Sequence, residues 1–135
     1  LEAKKYPRKD VNNLSKFVQT NYLNKKEILK FPDHYVALAV MVSDEGVSAN
    51  ADGKKIVLAG TIVGGATKPV LDNLDEPVIK KNGAGAEGVL LNDVDVTYGP
   101  APGAMILHGF VAADKLPEPP STGAKDALPM IAFIK

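Results

Sequence analysis

A small, mostly β body behind an N-terminal arm and an amphipathic α-helix is what this sequence predicts. Three features carry that expectation. Short runs rich in Val, Ile and Leu recur between Gly-, Pro- and Asn-containing turns from residue 35 onward. The one apolar stripe at helical spacing lies between residues 11 and 22. The chain has 135 residues, enough for one domain with its own core and some residues left over.

Taken in order, residues 1–9 hold Lys4, Lys5, Arg8 and Lys9 around Tyr6–Pro7, with no period, and read as an extended arm. Asp10 suits a helix N-cap, because its carboxylate can accept from free N–H groups of the first turn. Val11, Leu14, Val18 and Tyr22 then follow at spacings of 3, 4 and 4. Lys25–Lys26 suit the C-terminal end, and Phe31–Pro32 breaks the pattern. The expected division is residues 1–33 for arm and helix, and residues 34–135 for the β-rich body.

Tyr35–Val42 is apolar throughout and reads as a buried strand. Asp52–Gly53 is a turn signal, so residues 47–63 read as a hairpin whose second strand is Lys54–Val63. Val78–Ile79, Gly88–Leu91 and Val94–Thr97 read as further short strands. Residues 98–103 read as a Pro/Gly loop. Ala104–Ala112 reads as a strand with Met105, Leu107, Gly109 and Val111 on one face and Ile106, His108, Phe110 and Ala112 on the other. Ala124–Leu128 reads as one helical turn, and Pro129–Ile134 as a closing strand with its proline at the first position. About seven short strands result.

Composition narrows the chemistry. The absence of cysteine excludes disulfides, thiol catalysis and thiolate metal sites. Two histidines, His34 and His108, are too few for an all-histidine metal site within one chain. The longest apolar run, Tyr35–Val42, has 8 residues, well short of the roughly 18 that a membrane-spanning helix needs. The chain opens on Leu1 rather than Met, which leaves a removed leader open. Net charge is zero but unevenly spread. Residues 1–30 hold 8 Lys/Arg and 3 Asp/Glu (+5), whereas residues 31–135 hold 8 and 13 (−5). A basic segment on an acidic body can meet an anionic surface or an acidic protein patch.

Motifs with catalytic or cofactor meaning are weak. Gly83-Ala-Gly-Ala-Glu-Gly88 matches G-x-G-x-x-G, but a strand-like run follows it where the dinucleotide site needs a helix. Asp93 and Asp95 share a strand face, without the further oxygens of a calcium loop. No serine sits in a nucleophile elbow. His108, within an apolar strand, reads as a half-buried structural histidine. Trp is absent and aromatics are few, which disfavours stacking on single-stranded nucleic acid. Neither a catalytic residue, a metal nor a cofactor is expected.

Gly88-Val-Leu-Leu, then Gly103-Ala-Met-Ile-Leu-His-Gly-Phe-Val, then Asp114-Lys-Leu-Pro-Glu-Pro and the closing Ile131-Ala-Phe-Ile resemble the head decoration proteins of tailed bacteriophages. The lambda head protein D group and the head fibre proteins of some phages of Gram-positive hosts share this plan. The resemblance covers roughly residues 56–135. The Lys16–Val47 region departs from it, being longer than the short arm of the lambda group and helical in pattern. The resemblance implies a β-tulip body and a structural, non-enzymatic role in the virion. Homotrimers at threefold or quasi-threefold positions would cement the expanded capsid from its outer surface, after synthesis in the bacterial cytoplasm. The implied partners are the major capsid protein and the chain itself, with neither membrane nor nucleic acid. By the same analogy, Lys4, Lys5, Tyr6, Arg8 and Lys9 would contact the capsid. Gly88, Val89, Leu90, Leu107, Gly109 and Phe110 would form the core or trimer region. Rival readings are the base domain of a head fibre and a non-enzymatic surface-binding β-module.

Overall fold

A computed structural model describes residues 27–135. The expected arm, the helix and the five arm residues therefore lie outside the described residues. What is described is a small mostly-β domain with a mixed sheet and one short helical region. Its strands are β1 (Tyr35–Val42), β2 (Ile56–Val57), β3 (Ile62–Gly65), β4 (Val78–Lys80), β5 (Gly88–Leu90), β6 (Val94–Asp95), β7 (Ala101–Ala112) and β8 (Ile131–Ile134). A 3-10 turn at Ala113–Lys115 and helix α1 (Thr122–Ala127) precede β8.

The six-stranded sheet runs β1-β4-β3-β5-β7-β8, and β1 also pairs with β7, while β2 and β6 form a separate ribbon. β7 is the spine. It pairs antiparallel with β1 and with β5, and its last four residues pair in parallel with β8. The chain just before β1 also joins it: Ala112 N–H donates to Ile28 O (2.7 Å) and Lys30 N–H to Phe110 O (2.8 Å). Ile28 and Leu29, on the arm side of residue 33, pack in the core of the body.

Successive residues of a strand face opposite sides of a sheet, and here both sides are covered. Ile62, Val89 and Ile106 enter one apolar cluster with Ile28, Val111, Ala124 and Leu128. Their neighbours Val63, Leu90 and Met105 enter a second, with Val40, Val42, Val78 and Val96. Burial on two faces is why β5 reads as continuous apolar sequence with no alternation. It also explains Gly88. A Cβ there would lie 2.3 Å from the Met105 side chain and 2.6 Å from the Ile106 carbonyl oxygen.

Several expectations need correction. β1 has the predicted bounds but is not buried throughout. Val40 and Val42 are covered, whereas Met41, on the opposite face, and Val36, on the same face but beyond the reach of the second cluster, are exposed. Residues 47–63 are not a hairpin. The Asp52–Gly53 turn closes only Asn50 onto Lys54, and β2 pairs instead with β6. The run Lys54–Val63 is broken at residues 58–61, where Thr61 N–H and Oγ1 both donate to Leu58 O. β7 begins at Ala101, so Pro102 lies in a strand; there only β1 is in register with it. Pro129 lies in the turn before β8 rather than in the strand.

The faces assigned to residues 104–112 hold only up to Leu107. Ala37 lies opposite Ile106, but the next residue back, Val36, lies opposite His108, so β7 carries one extra residue, Leu107. Such a bulge exchanges the two faces of the strand beyond it. Accordingly Ile106 and Val111, of opposite parity, pack in the same cluster.

Candidate interaction surface

The bulge at Leu107 decides what the middle of β7 presents. Without it, His108 and Phe110 would follow Ile106 into the first cluster. With it, they turn to the side shared by Val36, which lies directly opposite His108, and by His34, two residues before Val36. The second cluster does not extend this far along β1, and these side chains reach the surface.

Four rings meet there. Phe31 and Phe110 pack edge to face, with centroids 5.3 Å apart and planes at 83°, a favoured arrangement for aromatic quadrupoles. His34 lies 5.8 Å from Phe110 and 5.1 Å from His108, centroid to centroid. The Nε2 atoms of the two histidines are 3.2 Å apart. His108 Nδ1 is 2.9 Å from the Met130 carbonyl oxygen in the turn before β8. A carbonyl can only accept, so Nδ1 carries a proton and donates. Phe31, Val36 and Met130 remain 47%, 53% and 61% exposed, which makes this an apolar as well as an imidazole-bearing surface. Gly109 makes it possible. Its φ is +155°, and a Cβ would lie 3.2 Å from Tyr35 Cβ, so only glycine lets the start of β1 lie this close to β7. The first thirty residues, with their +5 charge, lead into the body at Ile28–Lys30, directly beside Phe110.

At the opposite end of the sheet, polar side chains turn inward onto the chain itself. Glu87 Oε2 accepts from Gly65 N–H (2.6 Å) and Val70 N–H (2.9 Å), and its Oε1 accepts from Leu71 N–H (2.9 Å). Glu76, only 7% exposed, accepts from Thr67 N–H (2.7 Å) and Thr67 Oγ1 (2.8 Å). Those bonds from Thr67 hold the Glu76 carboxyl below the ordinary carboxylate range. Together the two glutamates fasten the loop between β3 and β4. A shallow depression of about 270 Å³ beside it is lined by Thr67, Lys68, Lys81 and Gly85, with Glu87 already committed.

The other polar motifs behave in the same way. Asp93 Oδ1 accepts from Ala59 N–H (2.7 Å), and Asp95 Oδ1 from both Thr97 N–H and Thr97 Oγ1. These bonds from Thr97 lower the Asp95 pKa. Each aspartate therefore serves a different stretch of backbone, and they do not jointly frame a cation. The Gly83–Gly88 segment runs directly into β5, with no helix opening on it. Glu118 pairs with Lys80 (3.0 Å) and accepts from Asn82 (3.2 Å), both of which lower its pKa. Asn82 Oδ1 accepts from Ser121 N–H, and Ser121 Oγ caps α1 through Ala124 N–H.

Of the residues singled out from sequence, Gly88, Val89 and Leu90 lie at the centre of the sheet, and Val89 and Leu90 are fully buried within one chain. Leu107 is the bulge residue and half-buried. Phe110, half-buried, belongs to the surface just described, and Gly109, itself buried, lies beneath it. Lys4, Lys5, Tyr6, Arg8 and Lys9 lie outside the described residues. Sequence reading missed Phe31, His34 and Met130, and it missed the fastening roles of Glu76 and Glu87. The one available signal was that the chain has just two histidines, in or next to strands that pair. Among the described residues no three His, Asp or Glu side chains gather as a metal site, and no helix is long and apolar enough to cross a membrane. No family model, curated protein or solved structure matches the chain.

Proposed function

We propose that this chain is a non-catalytic structural protein that decorates and cements the expanded shell of a tailed phage. In this reading the basic first thirty residues and the adjoining Phe31/His34/Phe110 surface make the contacts, and the body is a rigid β-tulip carrier assembled as a trimer. The observation that carries it is the charge split, +5 before residue 31 and −5 after it, with the basic part entering the body beside an exposed aromatic patch. The sequence resemblance over residues 56–135 points the same way. A cementing protein needs a stiff body, and the inward bonds of Glu76 and Glu87 supply stiffness. It also needs a segment whose ordering cost is offset by many weak contacts. Three such segments on one trimer would add their contacts through effective concentration.

Co-sedimentation with expanded and unexpanded DNA-free shells of a panel of tailed phages, with duplex DNA as control across a salt series, tests the reading. Saturable binding to expanded shells alone supports it. DNA binding that falls steeply with salt, without shell binding, would make the basic segment a nucleic-acid contact. Binding to neither returns the chain to the surface-binding β-module reading. Deleting residues 1–9 is expected to leave the body folded and to weaken shell binding at least tenfold. Undiminished binding by the truncated chain would remove the arm from the account.

A further inference from the structure

We propose that His34 and His108 form a two-imidazole site for a first-row divalent metal ion of the zinc, nickel and copper class. The proposal is independent of the phage reading.

The geometry rests on three facts. First, the two Nε2 atoms are 3.2 Å apart. A tetrahedral zinc ion with Zn–N bonds of about 2.0–2.1 Å holds neighbouring ligand nitrogens about 3.3 Å apart. Second, the two rings do not meet head-on. Collinear imidazoles at this separation would place their centroids about 5.5 Å apart, whereas they are 5.1 Å apart. The ring axes are therefore bent off the line that joins the two nitrogens. Third, the His108 Nδ1–H donates to the Met130 carbonyl oxygen at 2.9 Å. This fixes the tautomer with a bare Nε2 and orients the ring, the arrangement that metal-ligating histidines adopt.

With no ion present, His34 Nε2–H donates to that bare nitrogen. An ion takes the place of this proton, and His34 then carries its proton on Nδ1. His34 is exposed, so the ion arrives from solvent without any part of the body opening. The fold supports the pair from below. The Leu107 bulge sets His108 on the same side as His34, and Phe110 packs against the His34 ring.

Nitrogen ligands select the zinc, nickel and copper class over magnesium or calcium, which take oxygen. The chain has no third histidine and no cysteine, so one chain supplies half of a tetrahedral nitrogen set. Water fills the remaining positions, or a second copy contributes its own pair.

Calorimetric titration of the full chain with zinc chloride and nickel chloride, against magnesium chloride, provides the test. His34→Ala, His108→Ala and the double variant are titrated alongside, and thermal melts check that each is folded. The expected result is saturable binding of zinc and nickel, at one ion per chain or one per two chains, and none of magnesium. Binding should weaken at least tenfold in each single variant. His34→Ala is the decisive variant, because its exposed side chain holds no part of the backbone. Nitrogen-detected NMR of the histidine rings should show a bare Nε2 on His108 before zinc is added and perturbation of both Nε2 signals afterwards. Absence of saturable zinc binding, or zinc binding weakened less than tenfold in His34→Ala, overturns the proposal.

Discussion

The two ends of the sheet use polar groups in opposite ways. Around the β3–β4 loop, Glu76 and Glu87 accept from five donors between Gly65 and Leu71, four backbone N–H groups and the Thr67 hydroxyl, and present little that is uncommitted. Around the start of β1, His34, His108, Phe31 and Phe110 interact with one another at the surface. The first end spends its chemistry on holding the chain. The second leaves rings and ring nitrogens within reach of a partner. The comparison teaches where a binding role can sit: at the end whose polar atoms the fold does not consume.

The largest expected effect is at the hinge between β1 and β7. Gly109→Val forces a β-branched residue to φ +155° and drives a side chain onto Tyr35, at an expected cost of about 3 kcal/mol or more. A melting temperature equal to that of the parent would show that the exposed end does not depend on this close approach. Next comes Glu87→Ala, which leaves the N–H groups of Gly65, Val70 and Leu71 without their acceptor. Chemical denaturation should register a loss of about 2–4 kcal/mol. Val36→Ser, at an exposed position of the other end, should change stability by less than about 0.5 kcal/mol. Comparable losses from the two substitutions would erase the distinction between the ends.

A smaller effect concerns pH. The Glu76 carboxyl is lowered by its bonds from Thr67. A carboxyl with a depressed folded-state pKa contributes stability that is fully present above its unfolded value, near pH 4.3, and is lost as pH falls through the folded value. Glu76→Gln should therefore flatten the dependence of stability on pH below about pH 4.3 and leave its slope at neutral pH unchanged. Identical acid-unfolding profiles for parent and variant would show that Thr67 does not discriminate between the two protonation states of Glu76.

Much of the fold was legible in the sequence, for reasons that particular residues make plain. Tyr35–Val42 is unbroken and rich in β-branched side chains, and its strand has those bounds. The helical turn read at Ala124–Leu128 overlaps α1, which begins two residues earlier, at Thr122, behind the Ser121 cap. Illegible features are those decided by distant partners. Ile56–Val57 looks like half of a local hairpin but pairs with Val94–Asp95. Glu87 sits in a Gly-rich connection, and the donors it serves lie 16 to 22 residues earlier. Leu107 carries no mark of a bulge, because two apolar residues and a histidine satisfy an alternating pattern on either face. The candidate site was therefore legible only in pieces. Gly109 and Phe110 stood out as members of a conspicuous strand, while Phe31, read as part of a helix break, and His34, noted only as one of two histidines, gain meaning only across the β1–β7 ladder.

The comparison between the two ends and the proposed cementing role meet in one measurement, hydrogen–deuterium exchange of the full chain with and without expanded phage shells. The account predicts slowed exchange on shells in residues 1–9, 31–36 and 108–110, and unchanged exchange in residues 64–87. Slowed exchange confined to residues 64–87 would contradict it, because the fastened end would then be the one that binds.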